Sequence, residues 1–128
     1  MTLSYPDTNE LTKRIIAAAI EVHRYLGPGL LESIYEECLY LELSDAGLPL
    51  DRQRAVPIIY KNRSVNAFYR PDLIVRDTVI VEVKSVEKLI PVHEAQVLTY
   101  LKVTGLKVGL LFNFNTPMLA DGIKRLSL

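Results

Sequence analysis

The sequence predicts one α/β domain over residues 1–128, a mixed four-stranded sheet flanked by helices in the order α-α-β-β-β-α-β. Three observations lead there. Apolar residues recur at helical spacing from about residue 8 to 46, β-branched residues dominate roughly 55–84, and a helical stretch at 91–103 precedes an apolar run at 107–114. With 49% of the chain apolar, there is enough material to bury a core.

The first helix is expected over about 8–26, where Leu11, Ile15, Ala18, Val22 and Leu26 recur at spacings of three and four and form one stripe. Gly27-Pro28-Gly29 breaks it. A second helix is expected from Leu30 to Ala46, with Leu31, Ile34, Tyr35, Cys38 and Leu39 turned inward and Gly47 as its stop. Ala55 to Tyr60 is strand-like, with Pro57 suiting an edge or bulge. Ala67–Val75 and Thr78–Lys84 follow as strands. Pro91 opens a helix that runs to Val103, and Gly105 stops it. Lys107–Phe114 has the length and composition of a strand buried on both faces. Residues 1–9 are read as an N-terminal tail, and the segment from Ala120 to Leu128 is left unassigned.

Composition narrows the functional classes. No long apolar run lacks charges, so no membrane-spanning helix is expected. The first residues lack a signal-peptide layout, and Cys38 is the sole cysteine, so a cytoplasmic location is expected. Lys plus Arg number 15 and Asp plus Glu number 15, a net charge of zero. A protein that grips nucleic acid mainly by charge carries a basic excess, so nucleic-acid binding here requires a local patch, a metal ion or a partner. Arg52, Arg54, Lys61, Arg63 and Arg70 are the candidates for such a patch, although a solvated edge fits them equally well.

The chemistry-bearing constellation lies on the central strands. Glu82 and Lys84 are two apart on Val79–Lys84 and share a face with Ile80, while Val79, Val81 and Val83 make an apolar opposite face. An isolated Glu-x-Lys is ordinarily a solvated pair. Here both charges end a strand that otherwise reads as buried, and buried charges need a partner or a metal. If Arg76-Asp77-Thr78 form the loop of a hairpin, Val75 pairs with Val79 and Asp72 falls opposite Glu82 on the same face. A two-residue loop would put Asp72 on the other face. Asp72 and Glu82, with the Val83 carbonyl, are then the oxygen ligands a hard cation such as Mg2+ prefers. The metal would offset phosphate charge and acidify a water, and Lys84 would orient that water or stabilise the transition state.

Two further pairs join the set. Glu32 and Tyr35 are three apart in Gly29-x-x-Glu32-x-x-Tyr35, and Gln96 and Tyr100 are four apart on the later helix. Taken alone, Glu32 reads as a first-turn acid favoured by the helix dipole, and Tyr100 as a core residue beside a solvated Gln96. Of the histidines, His23 is read as structural, and His93 lies on roughly the Gln96 face. Neither has zinc-ligand spacing with Cys38.

Together these residues resemble the PD-(D/E)xK nuclease superfamily. Gly29-Leu30-Leu31-Glu32-Ser33-Ile34-Tyr35, Ala95-Gln96 with Tyr100-Leu101, and Gly109-Leu110-Leu111-Phe112-Asn113-Phe114 are similar to its GxxExxY family over about residues 10–126. The resemblance implies a restriction-endonuclease-like core. It implies Mg2+ or Mn2+ held by Glu32, Asp72, Glu82 and Val83, with Lys84 as catalytic lysine and Gln96 and Tyr100 holding substrate. It further implies a nuclease acting on nucleic acid, with DNA expected, and a homodimer or larger complex in which the apolar strand Lys107–Phe114 lies near the interface. The alternative is a non-catalytic nucleic-acid- or protein-binding module that keeps the nuclease fold.

Overall fold

The structure is a computed structural model and describes residues 7–128. Residues 1–6 of the expected N-terminal tail lie outside it, and the last two residues of that tail, Thr8 and Asn9, belong to the first helix. Helix α1 spans Thr8–Leu26 and α2 spans Glu32–Asp45. Strands β1 (Leu50–Arg52), β2 (Val56–Tyr60), β3 (Arg63–Tyr69), β4 (Leu73–Val75) and β5 (Val79–Lys84) follow. Then come α3 (Pro91–Thr104), β6 (Val108–Asn113), a short 3-10 turn at Leu119–Gly122, and β7 (Ile123–Ser127).

Asp7 caps α1, its carboxylate accepting from the Glu10 N–H at 2.8 Å. Leu11, Ile15, Ala19 and Val22 are the buried stripe of that helix. In α2 the expected inward face is partly wrong. Leu31 is 71% exposed and Ile34 39%, while Tyr35, Leu39 and Leu43 are fully buried. Apolar residues surround α2 on all sides, so spacing alone does not select the buried face. The Tyr35 ring stacks on Phe114, centroids 4.6 Å apart, and its hydroxyl donates to the Gly27 carbonyl and accepts from the Leu30 N–H. The Gly-Pro-Gly break is thereby tied to the start of α2.

The main sheet has five strands in the order β1-β4-β5-β6-β7, one more than expected. It is mixed: β5 and β6 are parallel, joined by α3, and the other neighbours are antiparallel. Strand β1 is three residues long and β7 lies in the unassigned tail, which is why neither is evident from pattern. The expected strand Ala67–Val75 is two strands in two different sheets. Pro71 separates them, having no N–H to donate to a continuing ladder. Strands β2 and β3 form a separate two-stranded hairpin.

Alternation sorts the core into two halves. Leu73, Val75, Val79, Val81, Val83, Val108, Leu110 and Phe112 pack with α1 and α2. Ile74, Ile80 and Leu111 pack with Val97, Tyr100 and Leu101 of α3. Gly109 sits under α3, where an added Cβ would run into the Val97 side chain. This close approach brings α3 onto the sheet. Strand β6 is buried along its whole length between β5 and β7, as expected for Lys107–Phe114.

Candidate active site

The turn between β4 and β5 sets the geometry of the site. Val75 pairs with Val79, Ile74 with Ile80 and Leu73 with Val81, so the loop is the three residues Arg76-Asp77-Thr78. Arg76 and Asp77 take φ of 52° and 54°, and the Thr78 N–H closes the turn on the Val75 carbonyl at 2.9 Å. The odd loop keeps parity, and Asp72, one residue before β4, meets Glu82. The Asp72 N–H donates to Glu82 Oε1 at 3.0 Å, and the Val83 N–H donates to Asp72 Oδ2 at 2.8 Å.

Glu82 is only 3% exposed. Burial first, and the neighbouring Asp72 charge second, push its carboxyl up to about 9. Lys84 lies two residues on, on the same face, and its charge works the other way. The Lys84 ammonium makes no hydrogen bond or ion pair among the described residues, which leaves it available to a ligand.

Helix α3 covers this face. Gln96 Nε2 donates to the Tyr100 hydroxyl at 3.0 Å. Burial and the Glu82 charge raise the Tyr100 hydroxyl above its usual range, with the Gln96 bond opposing. Tyr69, at the end of β3, meets the Tyr100 ring edge-on at 5.2 Å. Tyr69, Val92, His93, Gln96 and Tyr100 line a concavity of about 430 Å³. A larger one, about 620 Å³, lies at the turn end of β4 and β5 and contains neither Asp72 nor Glu82. The first contains neither acid as well, but its wall includes Gln96 and Tyr100, and the Tyr100 hydroxyl feels the charges of Glu82 and Asp72.

Glu32 stands apart from the pair. It is exposed at the first turn of α2, with Oε1 accepting from the Ser85 N–H at 3.3 Å, one residue beyond Lys84. Among the described residues no three His, Cys, Asp or Glu side chains are grouped closely enough to hold a metal ion. Of the expected ligand residues Glu32, Asp72, Glu82 and Val83, the structure brings Asp72, Glu82 and the Val83 backbone together and leaves Glu32 at Ser85. The α2 acid that reaches Asp72 is Glu36, which the sequence reading passed over. Gln53 Nε2 donates to Glu36 Oε1 at 2.8 Å and to Asp72 Oδ1 at 3.1 Å, and Arg52 Nε donates to Glu36 Oε2 at 2.8 Å. Burial, then Asp72, raises the Glu36 carboxyl against the pull of Arg52 and Gln53. Its signal was available: Glu36 is four residues from Glu32. Asn113, facing Lys84 across the β5–β6 ladder, was also missed. Its side chain clasps Val86 through both N–H and C=O, holding the segment after Lys84.

His23 is structural, with Nε2 2.7 Å from the Thr116 carbonyl oxygen. His93 Nδ1 accepts from the Ile90 N–H at the start of α3, and its ring borders the concavity.

The donor set fits a hard divalent cation by its chemistry. Asp72 and Glu82 are two adjoining carboxylates with a single nearby lysine, and their mutual repulsion is relieved by a proton or by a cation. No helix is long and apolar enough to cross a membrane among the described residues. The family description "PD-(D/E)XK nuclease superfamily" matches residues 9–126. No curated protein and no solved structure matches the chain significantly.

Proposed function

The chain belongs to the PD-(D/E)XK nuclease superfamily, and on that premise we propose that it is a divalent-metal-dependent nuclease hydrolysing phosphodiester bonds of nucleic acid, with DNA as substrate. One observation carries the proposal: a buried Glu82 carboxyl meeting the half-buried Asp72, with Lys84 on the same strand face and the Gln96–Tyr100 pair on the helix above. Mg2+ or Mn2+ held by Asp72, Glu82 and the Val83 carbonyl would neutralise phosphate charge and lower the pKa of a water. Lys84, without a hydrogen bond or ion pair among the described residues, would orient that water or stabilise charge on the phosphoryl oxygens. Gln96 and Tyr100 would hold the substrate strand beside the acids, and Glu32 would act from the rim of the site. The whole chain would work as one domain in the cytoplasm.

A second reading, a non-catalytic binding module that keeps the nuclease fold, draws on the net charge of zero. Cleavage of labelled single- and double-stranded DNA and RNA, with Mg2+, Mn2+ or chelator, separates the two. The nuclease reading expects metal-dependent cleavage that falls at least about 100-fold in Lys84→Ala. Nucleic-acid binding that is indifferent to metal, with no cleavage of any substrate, would favour the binding module.

A further inference from the structure

We propose that the β2–β3 hairpin is a docking arm for double-stranded DNA, entering the major groove and guiding the duplex to the acid pair; this rests on the nucleic-acid reading above. Charge segregation is the first ground. All fifteen acids of the chain lie outside residues 52–71, while five of its fifteen cations lie inside. Arg52 and Arg54 are held in ion pairs with Glu36, Glu37, Asp51 and Asp77. Lys61, Arg63 and Arg70 make no hydrogen bond or ion pair among the described residues, so the hairpin and the residue after it carry three cations without an ion-pair partner and no acid.

Shape is the second ground. The hairpin forms its own two-stranded sheet, and Ile59, Tyr60 and Phe68 are each more than half exposed. Lys61 and Asn62, with φ of 48° and 64°, form a tight turn between paired Tyr60 and Arg63. From Tyr69 to Arg63 is six residues, which at about 3.3 Å each makes an arm of roughly 20 Å. A two-stranded ribbon fits the major groove of B-form DNA, about 12 Å wide, whereas the major groove of A-form RNA is too narrow. The tip carries Lys61, Asn62 and Arg63, side chains able to bond phosphates and base edges.

Attachment is the third. Tyr69 pairs with Val56 at the root of the arm and Arg63 with Tyr60 at its tip, the register shifting between Pro57 and Ile59, and β3 is exposed along its face except at Tyr69. The root of that face is Tyr69 packed on Tyr100, whose hydroxyl senses Glu82. The arm therefore extends from the wall of the candidate site.

Binding is measured by anisotropy in chelator, without divalent metal, using labelled duplex DNA, single-stranded DNA and duplex RNA of one sequence. The triple variant Lys61→Ala, Arg63→Ala, Arg70→Ala is compared with a charge-matched control, Lys13→Ala, Lys102→Ala, Lys124→Ala, all exposed. Circular dichroism verifies that both remain folded. The arm predicts tightest binding to duplex DNA, and loss of about tenfold or more in the arm variant with a log–log salt slope shallower by about 2–3. The control variant should bind like wild type. Equal weakening in both variants overturns the proposal, as does wild-type affinity in the arm variant, preference for single strands or RNA, or no wild-type binding at low salt. A dimer that dissociates on Phe68→Asp, with DNA binding unchanged, would assign the hairpin to a second copy instead. Because no metal is present, absence of cleavage in the separate nuclease assay leaves this result standing. Conversely, cleavage with an indifferent arm sinks the arm alone.

Discussion

Glu36 and Asp72 share one amide: Gln53 Nε2 donates to a carboxylate oxygen of each, while the Gln53 N–H donates to the Asp72 carbonyl at 3.0 Å. Asp72 is thus braced from α2 through the link between β1 and β2. Removing the Glu36 carboxylate leaves Arg52 without its shortest ion pair and Gln53 with Asp72 alone as its side-chain acceptor. Glu36→Ala is expected to lose about 2 kcal/mol of stability, and Glu36→Gln less than half of that. Urea unfolding in chelator measures both. Equal midpoints for wild type and Glu36→Ala would show that the brace contributes nothing. Cleavage by Glu36→Ala, assayed where the protein is fully folded, should be slower through loss of Asp72 positioning.

The buried Glu82 carboxyl, set against Asp72, predicts an inverted pH profile for the metal-free protein. The Glu82 carboxyl, ordinarily near 4.5, is raised to about 9 in the fold. Between those values the folded chain holds the proton more tightly than the unfolded chain. Stability is therefore fully present at and below pH 4.5, and falls as pH rises toward 9. The slope from this group is at most about 1.4 kcal/mol per pH unit. Added Mg2+ or Mn2+ replaces the proton, so the metal-induced rise in Tm should be larger at pH 8 than at pH 6. Glu82→Gln should flatten both dependences. A stability in chelator that does not change from pH 6 to 8.5 would contradict the strong coupling of the pair.

What the sequence made legible was parity. The sequence reduced the β4–β5 hairpin to two parities, and the three-residue loop of the structure is the one in which Asp72 meets Glu82 beside Lys84. Such a reading works because a strand has only two faces. Helix α2 has many, and with apolar residues around it the exposed Leu31 and Ile34 were mistaken for core, so Glu36 went unnoticed on the buried side. The detached hairpin was obscured by β-branched composition, which marks a strand without naming its sheet. Pro71 was the one local sign of the change. Gln53 and Asn113 act through contacts 17 and 27 residues away in sequence, to Glu36 and Val86, which no window of periodicity reaches.

Tyr100→Phe isolates the hydroxyl that Gln96 bonds. The ring remains to pack against Tyr69, so stability should change by about 1 kcal/mol or less. If the pair holds substrate, KM for nucleic acid should rise more than kcat falls, and Gln96→Ala should add little once the hydroxyl is gone. Steady-state cleavage by the two single variants and the double variant measures that coupling. Fully additive effects would show that the two side chains act independently.

Gly109→Ala tests whether the seat of α3 matters to the chemistry. The new methyl would lie 2.5 Å from Val97 Cγ1, and 3.8 Å from Leu101 Cδ1, so helix or side chain must give way. Overpacking of this kind costs about 1–3 kcal/mol. Because Gln96 and Tyr100 ride on the same helix as Val97, a displaced α3 should also slow cleavage. Val97→Ala in the same chain makes room for the methyl and should restore part of both losses, read by urea midpoint and cleavage rate. Restored stability without any recovery of rate would separate the packing of α3 from its part in catalysis.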